Sequence, residues 1–99
     1  MLYVIIGHDV PESGEARSAA RPDHLSRLRE LEAQGRLILA GPTPTIDSPD
    51  PGPAGMSGSV IVAEFESLEA AKEWAQADPY VAGGVFSSTE VRPFIKVLP

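Results

Sequence analysis

The chain has no cysteine. Disulfides, thiolate nucleophiles and cysteine-held metals are therefore excluded, and a reducing compartment suits it. It is also short of positive charge: eight Lys and Arg stand against fourteen Asp and Glu, a net charge of −6. Such a surface repels phosphate backbones, and no Lys/Arg stripe with interleaved aromatics offsets it, so nucleic acid is a poor partner. A small anion remains admissible, because two neighbouring arginines outweigh a distant negative surface. No run approaches the ~20 apolar residues of a membrane span. The start, Met1-Leu2-Tyr3-Val4-Ile5-Ile6-Gly7-His8-Asp9, has neither the charged opening nor the long apolar core of a signal peptide. The expectation is a cytoplasmic protein that touches no membrane. Also missing are a G-x-S-x-G elbow, a P-loop and a dinucleotide glycine fingerprint, and with them the chemistries those motifs serve.

What is present describes one folded domain over residues 1–99, with 42% hydrophobic and 22% charged residues, ordinary values for a globular chain. Four apolar runs of strand length stand out: Leu2–Ile6, Leu37–Ala40, Val60–Ala63 and Phe94–Leu98. A first helix is expected from Pro22, with Leu25, Leu28 and Leu31 as its stripe and Gly35 as its stop. A second is expected after Ser67 as N-cap, with Glu69 in its first turn, Ala71, Trp74 and Ala75 inward, and Asp78-Pro79 as its end. The order βαββαβ predicts an α+β fold of ferredoxin-like type, an antiparallel sheet with two helices on one face. Two long connections are expected. Residues 8–20 form one, with a short helical turn around 15–20; the other is a stiff proline-rich loop over residues 43–58.

Leu2-Tyr3-Val4-Ile5-Ile6 and Val60-Ile61-Val62-Ala63 do not alternate, so both faces of the sheet are apolar where helices cover only one. A second copy packed sheet to sheet is the expected cover, giving a homodimer.

Chemistry-bearing residues converge on one rim. In the expected first helix Leu28 falls about 40° to one side of His24 and Leu31 about 20° to the other, so the histidine faces the sheet. It serves there as a general acid–base group or as a core-edge residue bonded to a backbone carbonyl. In the second helix Asp78 lies inside the apolar arc, about 80° from Leu68, as a site carboxylate or as a turn residue bonding nearby amides. The topology brings the start of the first helix and the end of the second to the same edge. That edge also receives His8, Asp9, Gly41, Pro42, Ser59 and the proline-rich loop. Arg17 and Arg21, expected just before the first helix, can clamp a carboxylate there with help from the helix dipole. The plainer reading, solvated arginines answering the surplus acids, suits Arg17 better. Tyr80 closes the pocket, donates its hydroxyl, or simply packs over the turn. No metal is expected, since His8 and His24 lack the spacing of a strong helical site. Gly83-Gly84 reads as a turn or bulge.

These stretches resemble, in order and spacing, the YciI-like (YCII-related) family. The matching pieces are Met1–Ile5, Arg21-Pro22 with His24-Leu25, Gly35-Arg36-Leu37, Ala40-Gly41-Pro42, Ala63–Ala71, Ala77-Asp78-Pro79-Tyr80-Val81-Ala82 and Pro93-Phe94. The resemblance implies a dimeric α/β barrel of ferredoxin-like protomers, with an active site of one histidine and one aspartate that map onto His24 and Asp78. It also implies a lyase- or isomerase-type enzyme. Combined with the residues, the expectation is cofactor-independent His/Asp chemistry (elimination, isomerisation or hydrolysis) on a small unsaturated carboxylic acid or lactone. Arg21, Arg17, Gly41, Pro42, Ser59 and Tyr80 would line the substrate. The alternative is a non-catalytic small-molecule or protein-binding module using the same cleft.

Overall fold

A computed structural model describes all of residues 1–99. Strand β1 (Leu2–Asp9) leads into helix α1 (Gly14–Ala33) and strand β2 (Leu37–Pro44). Strand β3 (Met56–Glu64), helix α2 (Leu68–Gln76), a single-turn helix α3 (Pro79–Ala82) and strand β4 (Phe86–Phe94) follow. The sheet order is β2-β3-β1-β4 with every pair antiparallel. The expected ferredoxin-like arrangement is therefore present, with α3 added.

The register Tyr3↔Ala63, Ile5↔Ile61 and Gly7↔Ser59 puts these residues on the helix-facing side. There Tyr3, Ile5, Ile61 and Ala63 pack with Leu28 and Leu31 of α1, Ala71 and Ala75 of α2, and Phe65. A separate small cluster of Tyr80, Val85 and Phe86 lies at the rim. On the opposite side Leu2, Val4 and Ile6 are only half-buried and Leu39 is exposed, as the non-alternating strands predict. Ser67 caps α2 by accepting from Ala70 N at 3.0 Å, and Gly35 ends α1 with φ at +70°, a conformation glycine adopts without strain.

Four expectations are corrected. Helix α1 does not begin near Pro22; it begins at Gly14 and carries Pro22 inside it. The missing N–H leaves one carbonyl without its donor, but the helix-favouring Ala19-Ala20 before it and the buried His24, Leu28 and Leu31 after it keep one continuous rod. The connection expected over residues 8–20 therefore shrinks to 10–13. Second, the last strand is Phe86–Phe94, not Phe94–Leu98. As an edge strand it needs only one inward side chain in two, here Val91 beside Ile5, so it reads as polar. The apolar Ile95, Val97 and Leu98 lie beyond it, about 80% exposed. Third, β2 and β3 run further than their apolar cores, which shortens the proline-rich loop to residues 45–55, with a 3-10 turn at Gly52–Ala54. Pro42 and Pro44 fit in β2 because it is the other edge of the sheet. Fourth, Asp78-Pro79 does not end α2 directly. Helix α2 stops at Gln76, and Asp78 is instead the N-cap of α3.

Candidate active site

His24 sits mid-way along α1, three turns from its start rather than one, and is 6% exposed. Its inward aim follows from the Leu28/Leu31 stripe. The expected contribution of the helix N-terminus is overturned, because that terminus lies about 15 Å along the rod at 1.5 Å per residue, too far for a dipole effect confined to the first turn. Asp78, 3% exposed, takes its position from capping α3: Oδ1 accepts from Tyr80 N at 2.9 Å. The same carboxylate faces His24 Nδ1, at 2.8 Å to Oδ1 and 3.0 Å to Oδ2. A carboxylate only accepts, so Nδ1 carries a hydrogen, and in the neutral imidazole Nε2 holds the free lone pair. The turn role expected of Asp78 and its contact with the histidine are thus one arrangement.

Tyr80 lies flat on the imidazole, with centroids 3.8 Å apart and 6° between planes. Phe86 meets its ring edge-on at 5.4 Å. Phe86 fits there because a Cβ on Gly7 would fall within its ring. Burial raises the Tyr80 hydroxyl above its ordinary value of 10.0, against the lowering pull of Arg17 and Arg21.

Arg17, Arg21, His24, Gly41, Pro42, Ser59 and Tyr80 all line one cavity of about 190 Å³, walled otherwise by Leu25, Leu28, Ala40 and Ile61. Asp78 stands behind His24 and out of the lining. Arg17 is not the solvated residue it reads as. Its side chain is 12% exposed. Nε and NH2 hold Asp9 at 2.6 and 2.9 Å, and NH2 also reaches Gly58 O at 2.8 Å and Ser59 Oγ at 3.0 Å. Arg21, exposed at the mouth, has no such commitment. A larger hollow of about 590 Å³ against Met1, Phe65 and Trp74 has no histidine in its walls. No three His, Asp or Glu side chains gather as a metal site would require.

Two contributors escape the sequence reading. Asp9 is a rim residue with no role assigned by pattern, yet its carboxylate is 1% exposed and also accepts from Ser13 Oγ at 2.6 Å. The only available signal is the Asp9, Ser13, Arg17 spacing of four, and it is visible only once α1 is known to start at Gly14. Arg27, one turn beyond His24, donates to Trp74 O at 2.8 Å and stacks 4.1 Å above that indole. It thereby ties α1 to the turn of α2 that leads to Asp78. Burial lowers its pKa, opposed by the nearby Asp78 charge.

The family model of the YCII-related domain matches residues 1–95. Protein YciI of Escherichia coli O6:H1 is 58% identical over 97 residues, 98% of this chain and 99% of that protein. An uncharacterized protein of Haemophilus influenzae is 50% identical over the same shares. Among solved structures, 5-chloro-2-hydroxyhydroquinone dehydrochlorinase (TftG) from Burkholderia phenoliruptrix, in complex with 2,5-dihydroxybenzoquinone, matches with a TM-score of 0.83 at 28% identity. The match covers 96% of this chain and 94% of that one.

Proposed function

The chain belongs to the YCII-related family, and on that footing we propose that His24 and Asp78 act as an acid–base dyad on a small, flat, anionic molecule, in an elimination or isomerisation. The observation that carries the reading is the bond from His24 Nδ1 to both Asp78 oxygens. It leaves Nε2, on a residue that lines the cavity, as the base. Nε2 takes a proton from the substrate. The electron pair released either shifts a double bond or expels a leaving group with its own pair. The carboxylate and the face of Tyr80 stabilise the imidazolium while it exists, and the same Nε2 returns the proton in an isomerisation. Arg21 holds the substrate's anion at the mouth, while Arg17 is a fixed wall because Asp9 already occupies it. A cavity of about 190 Å³ falls below the usual ~300–1,000 Å³ for drug-sized ligands, which suits a single ring. TftG, named for a dehydrochlorination, supports elimination among the options.

The test is turnover of 5-chloro-2-hydroxyhydroquinone and a panel of small unsaturated acids and lactones, followed by chloride release and absorbance. His24→Ala should cut kcat/KM by about 10²–10⁴. A folded variant with undiminished turnover sinks the mechanism, and a ligand recovered unchanged from the wild type makes the cleft a binding module.

The outer sheet face takes a second copy in this reading. Leu2, Val4 and Ile6 are already half-covered and Leu39 and Phe94 stand exposed, an apolar surface that a two-fold partner would bury. Ile6→Asp should sediment as a monomer where the wild type sediments as a dimer.

A further inference from the structure

Tyr80 is 2% exposed and its ring is held from three directions. His24 stacks on it, the edge of Phe86 meets it, and the Arg17 guanidinium carbon lies 5.0 Å from its centroid. Its backbone N–H is fixed to Asp78. A ring so constrained points its hydroxyl one way. No protein group takes the phenolic hydrogen. The charges acting on it are Arg17, which donates toward its oxygen, Arg21 and Asp78; the two arginines carry donors only and leave the phenolic hydrogen untaken, and the Asp78 oxygens are engaged by His24 and by the Tyr80 amide. Nor is the hydroxyl sealed away, since Arg27 NH1 is the sole side-chain polar atom both buried and unpartnered. The hydroxyl is therefore not fully enclosed, and Tyr80 is part of the cavity wall.

We infer that the Tyr80 hydroxyl is a hydrogen-bond donor to an oxyanion of the bound molecule, working beside Arg21 and across from His24 Nε2. The inference rests on the reading of this cavity as a site for small anions. It narrows the ligand to a single ring bearing an enolic, phenolic or carboxylate oxygen. When Nε2 removes a proton from such a molecule, negative charge collects on the conjugated oxygen, and a fixed, buried donor stabilises that charge more than a mobile water does. Burial, which keeps the phenol protonated, preserves the hydrogen that is donated.

Binding, rather than turnover, tests it. Wild type and Tyr80→Phe are titrated with 2,5-dihydroxybenzoquinone and with benzoate by calorimetry, and the His24 imidazole of each is titrated by NMR. The Phe ring keeps the stack. Support is a loss of affinity of about tenfold or more in Tyr80→Phe, with the His24 titration of the free protein unchanged. Equal affinity in the two proteins, or no binding of either probe by the wild type, overturns it. The two readings fail separately. Turnover that needs His24 but is unaffected in Tyr80→Phe removes the donor alone. Binding that needs Tyr80, without turnover of any substrate, removes the proton transfer alone.

Discussion

Both histidines of the chain meet a carboxylate at hydrogen-bond distance, His8 to Glu90 at 3.0 Å and His24 to Asp78 at 2.8 Å, and there the likeness ends. The His8 pair joins β1 to β4 with both side chains nearly half exposed. Water competes for it, and neither partner is otherwise engaged beyond a long 3.8 Å approach of Arg92 to Glu90. The His24 pair is 7% and 3% exposed. Its carboxylate presents both oxygens, caps a helix with one of them, and has Arg27 behind it; its imidazole is pressed against an aromatic face. Distance alone therefore does not tell the two pairs apart. The difference lies in how many other groups each partner must satisfy, and in the exclusion of water from one pair.

The largest effect that tests this contrast is expected from Asp78→Ala. It strands a buried imidazole N–H, at about 1–3 kcal/mol, and removes the α3 cap, at about 1 kcal/mol. A loss of about 3 kcal/mol is expected, which for a domain of this size lowers Tm by on the order of 15 °C. Glu90→Ala, measured beside it in the same urea titration, should cost under about 1 kcal/mol. Equal costs would erase the distinction between the two pairs.

How much of this was legible follows the same contrast. His24 and Asp78 could be placed because each shares a 3.6-residue period with apolar neighbours, and the alternation of elements then required them to meet. The inward aim holds although the helix starts eight residues before Pro22, since periodicity does not depend on where a helix begins. What did depend on it was lost. Taking Pro22 as a first helical residue left Arg17 in a loop, so its pairing with Asp9 could not be seen. Strand β4 was hidden for a different reason. Ser87, Ser88, Thr89 and Glu90 are acceptable on an edge with one wet face, while the greasier Ile95–Leu98 run made a better strand by composition and is left in the open. Pattern reading finds residues that pack; it misses polar residues whose partners come from another element.

A middle-sized effect concerns the aromatic cover that only His24 has. Unfolded, the Tyr80 phenol ionises at its ordinary value of 10.0; folded, burial holds it protonated to higher pH. Above that value the unfolded chain has released a proton the folded one keeps, so stability falls as pH rises from 10.0 to the folded value and is unaffected below. Urea midpoints measured from about one unit below 10.0 to about one unit above should therefore fall more steeply in wild type than in Tyr80→Phe. Parallel slopes would mean that folding does not dehydrate the hydroxyl, and that the His24 pair beneath the ring is less sheltered.

The smallest effect is expected from Glu90→Gln, and it is the one able to break the comparison from the other side. His8 and Glu90 lie on the outer sheet face, in line with Ile6 and Val4 by the alternation of β1 and its register with β4. His8 also lies toward the end of β1, and Glu90, opposite Ile6, sits on the edge strand β4, so a second copy centred on Val4 and Ile6 would leave the pair at its margin. A marginal pair stays in contact with water and is screened by salt, so the substitution should change the dimer dissociation constant by less than about fivefold, a difference under about 1 kcal/mol, and by less still in high salt. A change of a hundredfold that persists in high salt would place the pair deep between protomers. His8 would then be, like His24, a histidine whose surroundings a second element completes, with the difference that the element belongs to the partner.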